Sequence, residues 1–522
     1  MLLILLLCLP LGVGAQNRRL DRPPKLLVEI VMGSLSPTLI DAVWEELSPG
    51  GLPRIYGQGV VAMDARYPHL VCNSTNGLGT LVSGANPSRH GMLADHWYSG
   101  INGRRMDLTH DAECHAVGVP ADAYRLSPHR MLVGTLAESW RKAFPRARIY
   151  SLSLTPTEAL ILGGRAANAA LWLDPKTGRL TTSSYYARHL PRWAEDFNQG
   201  QRAESYNSVP WSQAEPGEGK SGRKSRREVE VMGGKYQRLS YVPSGASLLK
   251  DLAVQAVEKD RLGQGPEPDL LAVYHSALEG IAALYGPESP QMKDAVLRFN
   301  GELAALVDYL DATLGRKGYL LVLTSAYAAP PAPRRLTRQR IPAGTFNPDR
   351  AVLMLNSYLQ AIHKAKSLVL GYANQSIFLN EPLIADRHLN MEELQNLSAH
   401  FLSQMSGVAT VYPAHRMQWG GGNNRFLRAA AAFNPQRSGH LTIDLQPGWI
   451  VAPSFSPRAQ SATSSYDPHV PLAFFGWKLP RKRLLHEVSM RDIVPTICGL
   501  YHIPVPNASE GGPLPGVANW DE

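Results

Sequence analysis

One serine, two carboxylates and two imidazoles are the side chains of this 522-residue chain whose types suit hydrolytic chemistry: Ser74, Asp95, Glu279, His96 and His275. A hydroxyl becomes a useful nucleophile only beside a base or a metal ion. A carboxylate pair shares acid and base work only where its surroundings separate the two pKa values. The local patterns that supply such help are missing, for the chain has no Gly-x-Ser-x-Gly elbow, no His-Glu-x-x-His and no Gly-x-x-x-x-Gly-Lys-Ser/Thr loop. Taken alone, Ser74 reads as a turn serine bonded to backbone, Asp95 and Glu279 as solvated rim carboxylates, and both histidines as satisfied structural groups. Cysteine chemistry is limited too: Cys72, Cys114 and Cys498 are widely spaced with no Cys-x-x-Cys pair. That excludes a structural zinc site and allows at most one disulfide within the chain.

The elements that must position these residues are strands and helices of an α/β protein. Lys25 to Met32 is a buried strand bounded by Pro24 and Gly33, and Asp269–Tyr274 and Tyr319–Thr324 are similar apolar runs. Between the last two, Val296, Phe299, Leu303, Leu306, Val307 and Leu310 recur every three or four residues, one buried helical stripe. Strand, helix, strand predicts a right-handed parallel crossover and a sheet covered on both faces. Ligands of such sheets bind beyond the carboxyl ends of the strands. Residues 175–245 are polar and weakly periodic, which predicts loops and a cap. Residues 345–455 carry their own pattern, with a helix from Met391 to Met405 capped by Asn390 and a strand from Val408 to Tyr412.

Composition places the chain among globular proteins, with 44% hydrophobic and 19% charged residues. The net charge of +9 lies partly in three runs, Lys220–Arg227, Arg334–Arg340 and Arg481–Arg483. None of this points to nucleic acid, since the first run has no aromatic interleaving and reads as a solvated loop. Leu2 to Gly14 is an apolar run of signal-peptide length ending in Val13-Gly14-Ala15, which predicts cleavage near Ala15 and a periplasmic or secreted protein. No later stretch reaches the roughly 20 apolar residues of a membrane helix.

One longer pattern is specific. Asn73-Ser74-Thr75-Asn76-Gly77, then Thr80 to Met92 with Ser83-Gly84, Pro87 and His90-Gly91, then Ala94-Asp95-His96-Trp97-Tyr98, resembles the nucleophile region of the alkaline phosphatase superfamily. Thr181–Tyr186, Ile341–Gly344, Leu370–Asn380, Phe433–Gly439, Tyr466–Gly476 and Arg491–Thr496 resemble blocks of its phosphate-irrepressible type, a relative of type I phosphodiesterase/nucleotide pyrophosphatase. The resemblance implies a three-layer α/β sandwich with a mostly parallel central sheet, helices on both faces and cap insertions. The core then comprises residues 16–174, 246–344 and 456–522, with insertions at 175–245 and 345–455 and a leader at 1–15.

The resemblance also implies two Zn²⁺ ions held by Asp and His, which activate the hydroxyl and clamp the phosphoryl oxygens. At the corresponding positions this sequence departs from the family. Gly33 stands for an Asp after the first strand, and Asp41 matches a non-ligand Asp. Glu279 and Ala283 stand for an Asp and a His, Ala326 and Tyr327 for another Asp and His, and Gln460 for the last His; His469 is not that ligand. Thr155 and Thr157 stand for a phosphate-holding Lys and Arg, and Asp95 for an Asn. Ser74 alone is a benign exchange. With Asp95 and Glu279 ionised about 5 Å from a phosphate, each pair costs roughly 3 kcal/mol at an effective dielectric of about 20. The expectation is an exported pseudophosphatase without catalytic residues, metal or cofactor, whose partner is a protein or glycan of the cell envelope. The alternative is a divergent phosphate-ester hydrolase with a site rebuilt around Ser74, Asp95, His275 and Glu279, the only reading that requires zinc. Tyr327 is the side chain expected to fill the vacated metal space.

Overall fold

Leu26–Met32 is apolar at all but one position and is buried on both faces, as a central strand between two helical layers must be. The computed structural model describes residues 22–211, 234–417, 421–452 and 468–517. The leader, the basic run Lys220–Arg227 and Gln460 lie outside the described residues. In spatial order the main sheet runs Lys482–Ser489, Val60–Arg66, Leu472–Gly476, Tyr319–Ser325, Leu26–Met32, Asp269–His275, Ile149–Ser153, Ala169–Leu173, Leu180–Ser183 and Ala116–Val117. Its middle is parallel throughout, with Met32 level with both His275 and Ser325, and Ser153 level with Tyr274. Leu472–Gly476 and Leu180–Ser183 run against their neighbours. The fold is therefore a mixed α/β architecture around a large, mostly parallel sheet.

The helix Pro290–Leu314 buries the stripe read from the sequence and packs on one face with Ser244–Lys259. Ile493–Tyr501, Leu136–Ala143 and Ser74–Ser83 cover the other face. Two apolar layers thus sandwich the sheet, and each strand contributes alternate residues to each. Residues 175–245 differ from the expected loops. They supply the sheet strand Leu180–Ser183, and Trp193, Phe197, Leu239 and Val242 enter the main core. Polar residues between these anchors hid the pattern. Residues 345–455 build a second sheet, Val369–Ala373, Ser376–Leu379, Leu441–Leu445 and Val408–Pro413, over its own apolar cluster. Asn390 caps the helix there, which ends at Ser403.

Among the described residues no helix is long and apolar enough to cross a membrane. Cys72, Cys114 and Cys498 are all buried.

The Ser74 helix touches the sheet closely. A Cβ added to Gly77 would collide with the backbone carbonyl of Ala326, which cannot swing aside as a side chain would. Gly301 sits on the exposed face of the long helix with nothing within 4 Å of an added Cβ. Gly77→Ala should therefore destabilise by about 2 kcal/mol or more, through forced displacement of backbone. Gly301→Ala should stabilise by about 0.5–1 kcal/mol, through helix propensity alone. Denaturant midpoints of the two variants check this, and equal or reversed shifts would contradict the packing described.

Candidate functional site

The carboxyl ends of the parallel strands deliver Gly33, Thr155, Ser276 and Tyr327 to one edge of the sheet, and the Ser74 helix starts beside them. Asn73 caps that helix, accepting from Asn76 N at 2.9 Å while Asn76 Oδ1 accepts from Asn73 N at 2.9 Å. This reciprocal box fixes the first turn, where Ser74 sits. Deeper down, His90 Nδ1 accepts from Met92 N at 3.0 Å, so its proton is on Nε2, which faces Thr80 Oγ1 at 3.3 Å. Thr80 in turn faces His69 Nε2 at 3.4 Å, and His69 Nδ1 meets Val71 O at 2.7 Å. Burial lowers the pKa of both rings, that of His69 to about 3. They are neutral struts that hold the helix, which is the role of the His90-Gly91 turn.

The second subdomain closes the opposite side. Arg437 stacks on Trp97 at 4.5 Å and donates to Gly91 O at 2.9 Å, and Asn434 Nδ2 donates to Ser88 O at 2.8 Å. The hairpin tip Asn374-Gln375 reaches over the helix start, where Asn73 Nδ2 donates to Asn374 Oδ1 at 2.7 Å. Between core and subdomain lies a cavity of about 590 Å³. Ser74, Asp95, Thr155, Glu279, Ala283 and Tyr327 all line it, so the structure brings together most of the positions singled out by sequence.

The details depart from the sequence reading in several ways. Ser74 opens the helix rather than a turn, and its hydroxyl faces the cavity with no side-chain hydrogen bond to the described residues. Asp95 is exposed and accepts from Thr75 Oγ1 at 2.7 Å. Thr157 does not line the cavity; one residue on, Glu158 does, almost wholly buried. Its carboxyl is raised to about 7, first by burial and then by the charges of Glu279 and Asp95. His96 lines the cavity, its pKa lowered by burial and then by Arg105. His275 instead sits in the core against Phe299 at 5.0 Å, where burial lowers it to about 4. It therefore cannot serve as a base for Ser74. Thr-Pro-Thr-Glu resembles an ordinary helix start with an acid in its first turn, which is why Glu158 escaped notice.

The zinc question turns on space and lone pairs. An ideal Cβ on Gly33 would stand 2.7 Å from Glu279 Cβ and 2.8 Å from the Tyr274 hydroxyl. That hydroxyl donates to Glu279 Oε2 at 2.7 Å. The place of a side chain at residue 33 is thus held by Tyr274 and Glu279, and Tyr327 is buried and lines the same cavity as Glu279. Ala283 and Ala326 offer no donor. Among the described residues no group of three or more His, Cys, Asp or Glu side chains is arranged to hold a metal ion. The described residues at these positions do not by themselves make up the donor set of a two-zinc centre.

The mostly parallel sheet, the helix that starts at Ser74 and the second subdomain meet at this cavity. A profile of the type I phosphodiesterase / nucleotide pyrophosphatase family matches residues 27–470, and the chain belongs to that family. It is similar to the alkaline phosphatase PhoV of Synechococcus elongatus, at 26% identity over 94% of this chain and 92% of that one. Alkaline phosphatase PafA of Elizabethkingia meningoseptica is 23% identical, covering 96% of both chains. The crystal structure of wild-type PafA shares the fold with a TM-score of 0.85 at 22% identity, covering 95% of this chain and 99% of that one.

Glu158 makes stability fall as pH rises. Its folded pKa of about 7 exceeds the ordinary 4.5. The unfolded chain therefore ionises first, and stability is lost between those two values. Glu158→Gln should escape this, gaining about 3 kcal/mol on the parent between about pH 4 and pH 8. Urea melts of both proteins across that range check it, and a difference independent of pH would contradict it.

Proposed function

We propose that this chain is a pseudophosphatase: an alkaline-phosphatase-like fold whose cavity binds rather than hydrolyses, serving as a binding, scaffolding or assembly protein. The observation that carries this reading is at residue 33: glycine brings no carboxylate to the end of the central strand, and a Cβ there would meet the Glu279 Cβ and the Tyr274 hydroxyl. Without zinc, and without Lys or Arg among the described residues lining the cavity, nothing there offsets the charge of a phosphoryl transition state. The reading includes export to the periplasm or beyond and a protein or glycan partner in the envelope.

A second reading is a divergent phosphate-ester hydrolase, and the relatives favour it, since PhoV and PafA are named alkaline phosphatases. One observation on this chain speaks for it too. The Ser74 hydroxyl shares its cavity with Glu158, a carboxyl that titrates near neutrality, as a general base would. What supports the first reading is the donor set at the metal positions among the described residues.

Turnover separates the two. Release of p-nitrophenol from its phosphate monoester and diester, with and without added Zn²⁺, should stay at background and be unchanged by Ser74→Ala. Turnover above background that Ser74→Ala removes would establish the hydrolase instead.

A further inference from the structure

The chain that leads from the strand Tyr319–Ser325 into the second subdomain carries a charge pattern the cavity does not use. No Asp or Glu occurs between Asp311 and Asp349, and within that stretch Arg334, Arg335, Arg338 and Arg340 fall inside seven residues. The short helix Pro333–Arg338 sets their direction. Arg334, Arg335 and Arg338 lie within about 100° of one another around its axis. Leu336 faces away from them and is buried beside Gly448. Of residues 334–342 all but Leu336 are exposed, Ile341 at 46%. Among the described residues, the carboxylate paired with this knuckle is that of Glu288, whose Oε1 lies 2.7 Å from Arg335. The cations are thus gathered on a convex surface and largely left to solvent.

The knuckle is also stiff. Pro330, Pro331 and Pro333 lead into it. Its far end is closed by Ile341 N donating to Leu336 O at 2.9 Å and Arg340 N donating to Thr337 O at 3.0 Å. Arg340 takes the left-handed position of that closure, with φ of 60°, where glycine is the usual residue. An arginine there strains the backbone and adds a fourth cation to the surface.

We propose that this knuckle docks the protein on an anionic phospholipid surface. It goes beyond the binding reading above and does not depend on it. Guanidinium groups pair with phosphate oxygens two at a time, and cations beside such a surface add their attractions. A convex knuckle meets a flat array of headgroups, whereas a small ligand needs a concave site. Ile341, apolar and exposed between Arg340 and Pro342, enters the boundary between headgroups and acyl chains, a gain that an acidic glycan does not offer.

Co-sedimentation of the full chain with phosphatidylcholine vesicles, with and without phosphatidylglycerol, tests this. The parent should bind only the vesicles that contain phosphatidylglycerol and should release as salt rises. Arg334→Gln, Arg338→Gln and Arg340→Gly together should weaken that binding by about tenfold or more. Arg340→Gly alone should weaken it less, while keeping or raising the melting temperature, because glycine adopts the left-handed position without strain. Ile341→Ser should weaken it as well. Lys482→Gln with Arg483→Gln, on the edge strand of the main sheet, should bind as the parent does. The inference falls if the parent ignores phosphatidylglycerol, if the triple variant binds as the parent does, or if the edge-strand variant loses as much as the triple variant. Retention on heparin that the triple variant loses, without vesicle binding, would assign the knuckle to an acidic glycan and overturn it too.

Discussion

A single steric and hydrogen-bonding contact governs this site: the absence of a side chain at residue 33, with the Tyr274 hydroxyl and the Glu279 side chain packed where one would stand. Residue 33 follows the central strand and lies level with the ends of both neighbouring strands. A carboxylate there would face the Ser74 helix. With glycine there instead, the Tyr274 hydroxyl donates to one oxygen of the Glu279 carboxylate. On the reading proposed here, Ala283, Ala326 and Tyr327 go with that exchange, each standing where the resemblance implies a metal donor. The sheet itself is held by two apolar layers.

The same contact explains the charge of the cavity. A phosphoesterase gathers cations at this edge to match an anionic substrate. Here burial first, and then the charges of Glu279 and Asp95, raise the Glu158 carboxyl to about 7. Membership in a phosphoesterase family thus fixes where the site is, while the side chains in it fix what the site can attract.

Much of the fold was legible because buried parallel strands must be apolar on both faces. Leu26–Met32, Asp269–His275 and Tyr319–Ser325 fall within a residue of the runs read from sequence, and the stripe from Val296 to Leu310 is buried as its spacing requires. Residues 175–245 were less legible, because isolated anchors such as Trp193 and Leu239 reach the core from polar surroundings. At the site, Ser74, Asp95, Thr155, Glu279, Ala283 and Tyr327 line the cavity, while Gly33, Thr157 and Ala326 do not. Tyr274 looked like one more apolar strand residue, and only its three-dimensional neighbour Gly33 gives its hydroxyl a role. Gln375 carried a faint signal, an Asn-Gln turn between two short strands, but nothing in sequence says that such a tip folds back over the Ser74 helix.

Anomalous diffraction at the zinc absorption edge tests the central claim most directly, on crystals grown from protein dialysed against excess Zn²⁺ and then washed free of it. The account predicts no zinc peak within the cavity, with the Tyr274 hydroxyl still bonded to Glu279. Two strong peaks roughly 4 Å apart beside Ser74, the spacing of a two-metal centre, would contradict it.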